Sequence, residues 1–164
     1  MAVVPPSTEG RCGVGAFRMY LRVVSPSLRP DEISRRLGVE PDESTAVGWR
    51  RHPQATPRSH ATWIRHVRTA DDDARPEDLE PVVVGWGAGF AEALGRLAAS
   101  GEAGVHLEIV QEIDDLEDPQ QKGIFLGPHL MAWMGAAGAV LDIDQYVYHE
   151  CGDAPEGAGR APSG

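Results

Sequence analysis

Trp49, Arg50 and Arg51, with Arg58, Arg65 and the second indole of Trp63, form the densest meeting of aromatic and cationic side chains in this sequence. Guanidinium groups pair with phosphate or carboxylate through parallel N–H donors, and they stack on indole faces. Such a mixture suits an anion that carries a planar or apolar part. Trp49, Arg50, Arg51 and Trp63 are therefore the ligand-binding residues the sequence offers. The competing reading makes both tryptophans core anchors and pairs the arginines with carboxylates from the C-terminal half.

Other chemistry-bearing residues are sparser. Asp142 and Asp144 fall on one face of an alternating segment, continued by Tyr146 and Tyr148. Two carboxylates pointing the same way can share a cation or a proton; on an edge strand they serve instead to block unwanted pairing. His60 and His66 share a face, with His52 nearby, but zinc needs three or four converging ligands and no HxH or HExxH spacing occurs. His106, His129 and His149 stand apart. Gly13-Val-Gly15 precedes a strand instead of following one, Gly85-Trp-Gly-Ala-Gly89 lacks the full GxGxxG spacing, no GxSxG is present, and neither Cys12 nor Cys151 has a persuasive partner histidine. The expectation is no catalytic residue, no metal and no cofactor.

Charge narrows the partners. Residues 1–70 hold 11 Lys+Arg against 6 Asp+Glu, and residues 71–164 hold 4 against 19, for a net charge of -10. That balance disfavours non-specific duplex binding, which needs a basic face to displace counterions. No apolar run reaches the roughly 18 residues of a membrane span, and the N-terminus lacks the pattern of a signal peptide. The expectation is a cytoplasmic protein with no membrane partner, its two cysteines unpaired.

The elements that must position these residues are legible from periodicity. Phe17, Met19, Leu21 and Val23 alternate with Arg18, Tyr20, Arg22 and Val24, a half-buried strand. Pro30 to Leu37 reads as a helix opened by proline and stopped by Gly38. Residues 44–51 and 60–68 read as a strand pair. Leu79, Val83, Trp86, Phe90, Leu94 and Leu97 form a helical stripe weakened by Gly85, Gly87 and Gly89; a strand at 82–86 with a helix from 88 competes with it. Val105, Leu107 and Ile109 mark a strand, and Gly123 to Gly127 a short one. Leu130, Trp133, Met134 and Ala137 mark a helix ended by Gly138, and 139–149 the closing strand. Residues 1–14 and 150–164 read as disordered tails around one domain at 15–149. The order predicts an α+β two-layer sandwich: a mostly antiparallel sheet with helices on one face, and a split βαβ (ferredoxin-like) core extended by a further β-α-β. Phe17, Leu21, Ile33, Leu37, Leu94, Leu107, Ile109, Leu141 and Ile143 are its expected core.

Tyr20-Leu-Arg-Val, Leu28-Arg-Pro-Asp-Glu-Ile33, Leu37-Gly-Val-Glu-Pro41, Trp49-Arg-Arg51, Trp63 and Gly138-Ala-Val-Leu-Asp-Ile-Asp-Gln-Tyr146 together resemble the bacterial family catalogued as domain of unknown function 4279. The resemblance covers roughly residues 17–148. Family members commonly carry a basic, glycine-bearing loop between the two tryptophans; here His52 to His60 contains no glycine. The resemblance implies a fold and a cytoplasmic bacterial setting, and no mechanism.

The functional expectation is a non-enzymatic protein-interaction or regulatory module. Immunity-type neutralisation of a basic toxin is its specific form, because an acidic surface steers such a partner. The rival is a small-anion or small-ligand sensor or enzyme that uses Trp49, Arg50, Arg51 and Trp63. A third reading is a homodimer joined through an exposed sheet face. A deep cleft between the tryptophans would favour the ligand; a flat acidic surface would favour the protein partner.

Overall fold

Strand β1 (Phe17–Ser25) buries Phe17, Met19, Leu21 and Val23 and leaves Arg18, Tyr20, Arg22 and Val24 on the other side, as its period of two requires. The computed structural model describes residues 17–70, 74–113 and 115–147. The expectations for the two tails, both cysteines, Gly13-Val-Gly15, Tyr148 and His149 lie outside them.

After β1 the chain forms α1 (Pro30–Leu37), β2 (Glu43–Thr45), β3 (Ala61–His66), α2 (Pro76–Gly85), α3 (Ala88–Ala99), β4 (Gly104–Ile113), a 3-10 turn at Pro119–Gln121, α4 (Pro128–Ala137) and β5 (Val140–Val147). The sheet runs β2-β3-β1-β4-β5. The pairs β1–β3, β1–β4 and β2–β3 are antiparallel, and β4–β5 is parallel. The first four strands thus have the split βαβ order. The parallel pair needs a crossover, which α4 supplies.

Helix α1 begins at Pro30, carries Asp31 and Glu32 in its first turn and ends on Gly38 at φ 70. Its buried Ile33 and Leu37 join Leu21, Val23, Trp63, Leu94, Leu107 and Leu130 in one hydrophobic cluster between helices and sheet. Each such side chain, taken from water, contributes about 1.5–3 kcal/mol. Helices α3 and α4 approach closely because residue 95 is glycine: a Cβ there would strike the Ala136 carbonyl oxygen.

Four details differ from the periodicity reading. The strand predicted at 44–51 ends at Thr45, because Gly48 donates its N–H to the Arg58 carbonyl and Arg58 returns one to Trp49, closing a loop. The helical stripe from Leu79 divides at Gly87, whose φ of 88 interrupts it, and no strand forms at 82–86. Gly123 to Gly127 forms no strand; the place beside β4 is filled by β5, and Gly127 is tied to α2 by an N–H donated to Glu80 Oε2 at 2.7 Å. The added piece is therefore α4 and β5 alone. Finally, Ile143 is 40% exposed while Leu141 packs partly against the core, because β5 is an edge strand.

Leu21→Ala or Leu107→Ala is expected to cost about 2–5 kcal/mol, and Ile143→Ala about 0.5 kcal/mol. Gly95→Ala is expected to cost about 1–3 kcal/mol through overpacking of α3 on α4. Urea unfolding of the four variants checks the ranking.

Candidate functional site

The structure separates the residues that the sequence places together. Trp63 belongs to β3 and points into the helix layer, fully buried, where its Nε1–H donates to Ser34 Oγ at 3.1 Å. Trp49 lies in the loop between β2 and β3 and is 42% exposed. Arg58 sits 5.9 Å from the Trp49 ring. Arg50 Nη1 donates to the carbonyls of Pro53 and Ala55 at 3.2 and 3.1 Å, bracing its own loop. Arg51 is exposed and has no partner among the described residues. Arg65 stacks on Trp86 at 4.6 Å and Phe90 at 5.3 Å. The loop therefore holds Trp49, Arg50 and Arg51, whereas Trp63 has no face open to a ligand.

The competing reading describes other arginines better. Arg18 pairs with Glu112, Arg22 with Glu108 and Arg36 with Glu102, each joining the basic half to the acidic half. The histidines part as well: His60 pairs with Ser59, and His66 Nε2 lies 2.9 Å from Glu43 Oε1. Among the described residues, no group of three or more His, Cys, Asp or Glu side chains is placed to hold a metal ion.

One side of the sheet is left uncovered by the described helices. The strand registers lay its side chains out in rows: Glu43, Ile64, Arg22, His106 and Val140; then His66, Tyr20, Glu108 and Asp142; then Arg18, Val110 and Asp144; then Glu112 and Tyr146. At the centre Glu108 is buried, paired with Arg22 Nε and accepting a hydrogen bond from Tyr20. Burial, this hydrogen bond and the Glu108 charge hold the Tyr20 phenol well above its ordinary pKa. The Tyr20 ring meets His66 edge-on at 5.9 Å.

Beside this centre lies a groove of about 760 Å³, floored by Tyr20 and Val110 and bordered by Arg18, Arg68, Asp144 and Tyr146. It reaches around the start of β1 to Phe17 and Leu79. Arg68 is exposed and has no partner among the described residues. Asp142 and Asp144 are exposed and likewise unpaired there. This arrangement escapes a single-strand reading. Its trace in the sequence is a pair of complementary polar phases, Arg18-Tyr20-Arg22 in β1 against Glu108 and Glu112 in β4, which becomes meaningful once the two strands are known to be neighbours.

Because folding raises the Tyr20 pKa, the folded chain holds that proton more tightly than the unfolded one. The resulting stabilisation is complete below the ordinary tyrosine value of about 10 and is lost as pH climbs beyond it. The thermal midpoint of the wild type is expected to fall more steeply above that pH than the midpoint of Tyr20→Phe. Parallel slopes would remove the coupling.

No curated protein and no solved structure matches the chain. A family model, described as a domain of unknown function, matches residues 15–148. That span takes in every strand and helix of the sandwich, and with it the chain belongs to the DUF4279 family.

Proposed function

We propose that this protein is a cytoplasmic binding module, without covalent chemistry of its own, that recognises a partner protein on the open face of its sheet. The carrying observation is that uncovered face itself, with its groove, its half-exposed Tyr146 and its two unpaired aspartates. Aromatic side chains set among polar groups are the usual anchors of such contacts. The acidic C-terminal half favours a basic partner and speeds its approach, which suits immunity-type neutralisation as one form of the module. No role on duplex nucleic acid is proposed for a chain of this charge. Among the described residues, no helix is long and apolar enough to cross a membrane.

A second reading has its own support. The groove has the volume of a small-molecule site, and the unpaired Arg68 guanidinium could hold an anion there. In this form the small-anion sensor uses the groove in place of the Trp49 loop.

Affinity capture from the native cytosol with three baits tests these readings: the wild type, Asp144→Arg with Tyr146→Ala, and Trp49→Ala with Arg51→Ala. The captured protein is expected to be lost from the second bait and retained by the third, with all three melting alike. Loss from the third bait alone would return the site to the loop. Binding of inorganic phosphate that disappears in Arg68→Ala would favour the anion reading.

A further inference from the structure

The two edges of the sheet are built differently. Strand β2 has only three residues, and a short edge offers little to pair with. Strand β5 has eight, Val140–Val147, paired with β4 on one side only. Alternate N–H and C=O groups of its outer edge find no backbone partner among the described residues. Apolar side chains lie exposed on both of its faces: Val140 and Tyr146, 57% and 50% exposed, on the open face, and Ile143 and Val147 on the other.

Charge selects the occupant. The arginines of β1 neutralise the carboxylates of β4, through Arg18–Glu112 and Arg22–Glu108. None reaches β5, so Asp142 and Asp144 stand two positions apart on one face with no cation among the described residues. A second copy of this chain meets that pattern badly. An antiparallel β5 centred on Ile143 would set Asp142 against Asp144 twice, and one centred on Asp144 would set that residue against itself. Like charges directly opposite destabilise a strand pair. A strand bearing cations at alternate positions meets both aspartates, and its other phase lies over Ile143 and Val147. The loop that leaves β4 beside Val147 carries Asp115 and Glu117, which adds negative field at that end of the strand.

We propose that the outer edge of β5 receives an extended segment of a partner protein carrying Lys or Arg at alternate positions, added to the sheet as a further strand. Main-chain hydrogen bonds supply the affinity of such an addition, and alternate side chains supply its selectivity. The proposal rests on the binding-module reading above and names the partner's chemistry.

The probe is a labelled, acetylated peptide of alternating lysine and threonine, matched in length to β5, followed by fluorescence anisotropy and amide hydrogen exchange. The wild type is expected to bind it in a salt-sensitive way, with β5 amides gaining protection. Asp142→Lys with Asp144→Lys is expected to weaken binding by about tenfold or more, and to accept the matching glutamate–threonine peptide in its place. That swap shows the double variant to be folded. A lysine–threonine peptide with N-methyl groups on alternate residues is expected to bind more weakly, since strand addition needs its N–H donors. Equal binding of the N-methylated peptide would overturn the proposal. So would protection confined to Arg18, Tyr20 and Val110, an outcome that leaves the open-face reading standing. No binding of the peptide, or a wild-type dimer with its β5 amides protected, would also overturn it; the capture experiment then decides the broader reading by itself.

Discussion

Strand β1 is hydrogen-bonded on both edges, antiparallel to β3 and to β4, and the rest of the structure depends on that double pairing. A strand satisfied on both sides has no freedom of register, because a slip by one residue would turn Leu21 outward and Arg22 into the core. Its inward phase sets the floor on which α1, α2 and α3 pack. Its outward phase sets the charge pattern of the open face. Register on β1 thus transmits one choice to both layers of the sandwich.

The outward consequence is electrostatic. Arg18 and Arg22 face carboxylates of β4 because the antiparallel register brings Val110 opposite Arg18 and Glu108 opposite Tyr20. Of the two pairs, Arg22–Glu108 lies deeper. A buried carboxylate is costly unless it is paired and hydrogen-bonded, and Glu108 has both an arginine and the Tyr20 hydroxyl. The more exposed Arg18–Glu112 pair contributes less, as surface pairs do. On this face the pairing by β1 arginines stops at β4, which leaves Asp142 and Asp144 of β5 without a cation among the described residues. A polarised open face follows: arginine on the β1 side, unpaired aspartate at the β5 edge.

The tryptophans show how far a side-chain inventory carries. Trp49 and Trp63 look equivalent in the sequence, each beside arginines. Trp63 occupies an inward phase of β3 and becomes a core anchor whose N–H is satisfied by Ser34. Trp49 follows a strand only three residues long and stays in a loop that Arg50 and Arg58 brace from within. Of the guanidiniums grouped there by the sequence, Arg50 serves the loop's own carbonyls, Arg58 lies over an indole face and Arg65 caps Trp86 and Phe90, while Arg51 stays exposed.

The sequence by itself determined what is local. The alternation of β1, the proline start and glycine stop of α1, the inward set of β4, the glycine end of α4 and the two-layer α+β class with its split βαβ core follow from periods of two and 3.6 and from backbone preferences at proline and glycine. It stopped short where an outcome depended on what lay alongside. The Gly123 to Gly127 segment has a strand's composition and no strand to join, since α4 delivers β5 to the place beside β4. Ile143 has a core residue's spacing and an edge strand's exposure. The pairing of Arg22 and Tyr20 with Glu108, the groove and the unpaired carboxylates of β5 exist only once strand order and register are set. Those are choices among contacts distant in sequence, made by burial of the whole inward surface, and no window of neighbouring residues contains the energies that decide them.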